Sequence, residues 1–96
     1  MVKDFLHYYV QRAKIYRDEA QRAITYTTLD EYERAEIIRK TLLRSVTAEV
    51  ANLSTQVDEY YKLLEDIQTY SQTKPELLME LTHIRSACQK FIDSYA

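Results

Sequence analysis

Apolar residues recur along this chain with a period of about 3.6 residues, the mark of amphipathic helices, and not with the period of two that marks strands. Val2, Leu6, Tyr9, Ala13, Tyr16, Ala20 and Ala23 step by fours and threes, and Phe5 and Ile24 widen the stripe. Lys3, Asp4, Gln11, Lys14, Asp18 and Gln21 lie off it. The pattern predicts a helix over 2–25. Thr28-Leu29-Asp30-Glu31 then has the spacing of a capping box, with Thr28 as N-cap and Glu31 reaching back. Asp30, Glu31 and Glu33 put negative charge where the dipole of a second helix would favour it.

Ala35, Ile38, Leu42, Val46, Val50, Leu53, Val57, Tyr60, Leu64 and Ile67 carry the period onward, with no breaker before Pro75. This predicts one helix over 29–71, about 64 Å long at 1.5 Å per residue. Val50 to Ile67 is a regular heptad run, and the successive four-steps from Ile38 to Val50 resemble a stutter. The weak stretch is 45–55. Ser45 and Thr47, then Asn52, Ser54 and Thr55, can bond back to the main chain and interrupt the helix. Thr73 to Glu76 repeats the capping-box spacing, with Pro75 in the first turn, where it is tolerated. Leu77, Leu81, Ile84, Cys88, Phe91 and Tyr95 predict a last helix over 75–95.

The expected fold is all-α: a three-helix antiparallel assembly with one long central helix, forming a single helical domain over 1–96. The alternative is a four-helix up-down bundle in which the long helix breaks within 45–55. The lack of a residue suited to positive φ at the break favours the long helix.

Composition narrows the function. The chain has 96 residues, a net charge of −2, one Pro, one Cys and no Gly. Its length bounds it to one domain with a thin core. The absence of Gly excludes Gly-rich phosphate loops and dinucleotide fingerprints. A lone Cys88 cannot form an intrachain disulfide and sits in the apolar register, as a buried structural thiol would. No apolar run is long enough for a membrane span and no signal peptide opens the chain, so a cytoplasmic location is expected and the Asn52-Leu53-Ser54 sequon would stay idle. The slight negative charge argues against nucleic acid as a partner.

Asp4-x-x-His7 and Glu80-x-x-His83 each place a carboxylate one turn from an imidazole, as helical di-metal sites do. Both pairs fall off the apolar stripes and no inward carboxylate on the long helix completes the set. No metal, cofactor, catalytic residue or small-molecule substrate is therefore expected. Arg34, Arg39, Lys40 and Arg44 make the long helix basic early, and its later half is acidic. This suits docking by opposite charges, or a solvated face with Glu36 and Lys40 paired. Nine tyrosines stand against two phenylalanines. Tyr9, Tyr16, Tyr60 and Tyr95 lie on the stripes, while Tyr8, Tyr26, Tyr32, Tyr61 and Tyr70 lie at edges or turns. Tyrosine suits half-wet interfaces.

These features point to a non-enzymatic interaction or assembly module acting through coiled-coil-like contacts with a second copy or a helical partner. The long helix exceeds what its neighbours can cover, which makes Tyr60, Leu64 and Ile67 the expected interface, with Tyr61 on its rim. A less favoured expectation is a four-helix-bundle metal protein. Tyr61-x-x-x-Glu65, together with size and helical-hairpin character, resembles the small helical partner proteins of type VII secretion. The Trp-x-Gly turn of that family is absent, and Tyr61 lies outside a C-terminal tail. The resemblance implies a secretion-associated chaperone or targeting partner as the alternative function.

Overall fold

A computed structural model describes residues 2–53 and 57–96, with side chains from residue 6 onward. Among the described residues there are four helices and no strand: α1 (Val2–Thr28), α2 (Tyr32–Asn52), α3 (Asp58–Ser71) and α4 (Leu77–Tyr95). α1 packs on α2 and α4, and α3 packs on the same two, so the helices close a ring in chain order. Ala23 and Ile24 near the end of α1 meet Ala35 and Ile38 at the start of α2 and Leu81 at the start of α4. The direction therefore alternates up, down, up, down.

The four-helix alternative matches this helix count, and the single helix over 29–71 is corrected. α2 ends at Asn52, where Leu53 turns to extended backbone (φ −78°, ψ 95°), and Val57 is again extended before α3. The Asn52 side-chain amide donates to the Ala48 carbonyl at 2.9 Å, one of the back-bonds expected of this stretch. Ser54 and Thr55, also assigned to it, lie with Gln56 outside the described residues. Leu53 and Val57 leave and enter helix through ordinary β-region angles, so neither needs glycine. The long axis is 45 Å rather than about 64 Å. The heptad run Val50 to Ile67 is thus divided between two helices that pack on each other.

Neither capping box forms. Thr28 is the last residue of α1, and its hydroxyl donates to the Thr25 carbonyl at 2.7 Å. Thr73 does the same to Tyr70, also at 2.7 Å. Glu31 and Glu76 are themselves the N-caps of α2 and α4, without a side-chain capping bond. At the end of α1, Glu31 N–H reaches the Tyr26 carbonyl and Asp30 N–H the Thr27 carbonyl. This is a Schellman closure with Asp30 at φ 61° in the place glycine usually takes. Lys74, at φ 56°, serves the α3–α4 turn.

The core follows the helix stripes. Ala13, Ala20 and Ala23 are fully buried on α1, facing Leu81, Ile84 and Cys88, which are equally buried on α4. Small side chains bring the two axes together, and α1 and α4 form the most extensive pair. Val10, Leu63 and Ile92 complete the core beyond the predicted stripes, whereas Tyr95 is exposed.

Candidate interaction surface

The residues expected at an interface are mostly used inside the chain. Tyr60, Leu64 and Ile67 are all 0% exposed. Tyr61 is half-buried, and Glu65, which completes the Tyr-x-x-x-acid pattern, is exposed on α3. The physical reason is the fold-back: once α3 lies against α2 and α4, the supposed overhang has neighbours. Tyr60, Leu64 and Ile67 thus lie in the core of the chain and not on its surface.

Tyr60 sits among aromatic rings, its centroid 4.6 Å from that of Tyr9 and 5.7 Å from that of Phe91. Its buried hydroxyl makes no hydrogen bond of normal geometry among the described residues. Burial, with Glu49 nearby, raises its pKa far above the usual tyrosine value. Beside it, Tyr16 on α1 donates its hydroxyl to Glu49 on α2 at 2.5 Å. Arg12 donates to the Tyr16 oxygen at 3.3 Å and lies 3.6 Å from the Glu49 carboxylate. Burial and the Glu49 bond both raise the Tyr16 pKa. Arg12 is raised too: burial opposes its charge, but Tyr16 and Glu49 outweigh burial. This triad ties α1 to α2 under the groove that the two helices enclose.

That groove has a volume of about 330 Å³. Ile15 from α1 is 49% exposed and Ile37 from α2 is 64% exposed, one on each wall. Ile38 and Leu42 are buried beneath them, and Arg12 and Arg22 lie along the α1 side. Ile37 also borders an open depression of about 490 Å³ with Tyr32 and Leu77. Sequence periodicity missed Ile15 and Ile37 because both stand off the stripes, where a single apolar residue is unremarkable. Only the fold sets them opposite one another.

The basic cluster is divided by the structure. Arg34 pairs with Glu31 at 3.4 Å and lies over the Tyr26 ring. Arg39 reaches Glu36 on its own helix and the buried Glu80 of α4 at 3.3 Å. The Arg39 contact holds the Glu36 carboxyl below the usual carboxylate range. Glu36 is thus held by Arg39, and Lys40 and Arg44 remain exposed on α2.

The histidines do not converge on a metal. His83 on α4 shares a 2.7 Å hydrogen bond with Asp66 on α3, and Tyr70 stacks on its ring at 3.9 Å with the planes 3° apart. Neither Glu80 nor His7 joins it: Glu80 pairs with Arg39, and the Asp4 side chain lies outside the described ones. Among the described residues no three His, Cys, Asp or Glu side chains gather as metal ligands. Cys88 is buried and its thiol is pushed up to about 12, chiefly by desolvation. No described helix is long and apolar enough to cross a membrane. No protein-family model, curated protein or solved structure matches the chain.

Proposed function

We propose that this chain is a helix-docking module that works by contact and not by catalysis, and that the α1–α2 groove is its docking face. The observation that carries this reading is the pair Ile15 and Ile37. They stand exposed on opposite walls over the buried Ile38 and Leu42. A third amphipathic helix laid between them would cover both isoleucines at about 25 cal/mol for each Å² of apolar area removed from water. The guest belongs to a second copy or to another helical protein.

The test is a photo-crosslinker at position 37, in the purified chain over a concentration series and in extract of its source cells. The expected result is a product of defined mass that is lost in Ile15→Glu, whose helical circular dichroism should match that of the parent chain. Dimer mass in the purified chain assigns the guest to a second copy. Cross-linking that ignores Ile15→Glu, or no product under either condition, overturns the proposal.

A further inference from the structure

On another face, α1 and α4 carry the same spacing in opposite directions: Arg17-x-x-x-Gln21 on α1 and Arg85-x-x-x-Gln89 on α4. Arg17 donates to the side-chain oxygen of Gln89 at 3.2 Å, and Arg85 donates to that of Gln21 at 2.8 Å. The two helices exchange the same bond about a local two-fold. Each amide oxygen is consumed by a guanidinium, so the groups this exchange leaves unengaged are mostly donors. Between them lies a groove of about 280 Å³, with Ser86 on its wall and Asp18 as the one acid lining it.

We propose that this groove binds a phosphate monoester dianion through Arg85 and Arg17. Arg85 has no carboxylate within ion-pairing distance among the described residues, and its Nη1 alone is engaged, by a neutral amide. Its Nε and Nη2 therefore keep the parallel two-donor edge that fits a pair of phosphoryl oxygens. Arg17 spends Nε on Asp18 at 2.9 Å and Nη1 on Gln89, and retains Nη2. The Asp18 side chain is 68% exposed, so water screens its charge. Asp93 takes the Gln89 amide nitrogen at 2.9 Å, which leaves the Gln21 amide and the Ser86 hydroxyl as the neutral donors. Two guanidinium groups fixed from opposite helices need little reordering to receive a tetrahedral anion. A phosphate monoester carries nearly two charges at neutral pH and exceeds a carboxylate or chloride in both charge and acceptor number.

The experiment follows the backbone amide spectrum of the full chain during titration with inorganic phosphate, with O-phosphoserine, and with chloride at matched ionic strength. Saturable shifts are expected at Arg17, Gln21, Arg85 and Ser86 with both phosphates and not with chloride. Equal affinity for the two assigns recognition to the phosphoryl group, and tighter O-phosphoserine binding assigns it to an ester. Arg85→Gln should weaken binding roughly tenfold or more, the worth of one lost charge-assisted contact. Arg85→Lys should weaken it nearly as much, because it keeps the charge and loses the two-donor edge. Lys62→Gln, exposed on α3, should leave it unchanged. Shifts that chloride reproduces, or that survive Arg85→Gln, overturn the proposal.

Discussion

Asp30 and Lys74, the two described residues in left-handed backbone, occupy the two turns at one end of the bundle, where a sequence with any glycine would have placed it. They differ in how well they bear the conformation. Asp tolerates it, and the Asp30 carboxylate also accepts the Tyr32 hydroxyl at 3.0 Å. Among the described residues no side chain forms such a bond with Lys74.

Lys74→Gly should therefore stabilise the chain by about 0.5–1 kcal/mol. The left-handed region costs an L-residue about 1–2 kcal/mol, and the extra freedom of Gly in the unfolded chain returns about 0.4–1 kcal/mol of that. Asp30→Gly should gain less. Urea midpoints of the two variants measure the order, and a lower midpoint for Lys74→Gly contradicts it.

The burial of Leu64 turns an interface residue into a stability residue. Leu64→Ala should cost about 2–5 kcal/mol through the cavity it leaves. Ile37→Ala, on the surface, should change monomer stability by less than about 0.5 kcal/mol. Unfolding at two protein concentrations separates the roles: the Leu64→Ala loss should be the same at both.

Arg39 and Glu80 form an ion pair whose carboxylate side chain is only 5% exposed. Arg39→Met should cost about 3 kcal/mol, because it leaves a buried charge without its partner. Adding Glu80→Met to that variant should recover much of the loss, since two apolar chains of similar volume need no partner. The check is a double-mutant cycle. A double variant less stable than Arg39→Met alone counts against the pairing.

Alkali should unfold the chain through two of its tyrosines. The Tyr16 and Tyr60 pKa values are raised in the fold, first by burial and then by Glu49, against about 10 in an unfolded chain. Raised groups of this kind contribute stability that is full below about pH 10 and is lost as pH rises further, because the unfolded chain sheds their protons first. Tyrosinate absorbance should show a late step that coincides with loss of helical circular dichroism. Tyr16→Phe should make stability fall less steeply above pH 10.

Much of the architecture was legible in the sequence, for reasons that also explain what was not. Ala13, Tyr16, Ala20, Leu42, Val46, Ile84 and Cys88 obey the helical period because burial demands it, and they lie in the core. The polar residues of 45–55 mark the break after Asn52, and the lack of a residue suited to positive φ speaks against it. That lack misleads, because Leu53 and Val57 turn through β-region angles that any residue adopts, and a hairpin keeps the apolar register on both arms. The threonines promised N-caps and instead closed the preceding helices, since a hydroxyl at these positions serves either end. Ile15 facing Ile37, and Arg17 facing Arg85 across two exchanged glutamines, are products of helix pairing. No local spacing encodes either.

The widest contact joins the first helix to the last. Among helical bundles that pairing is long in sequence, and a loop spanning α2 and α3 must close before it yields any stabilisation. During synthesis the alanine face of α1, which α2 meets in part at Ala35 and Ile38, lacks its main partner until α4, beginning at Leu77, has left the ribosome. Folding of the ring thus waits on its final segment, and a chain halted after α3 would present that alanine face as an open seam for another helix to occupy.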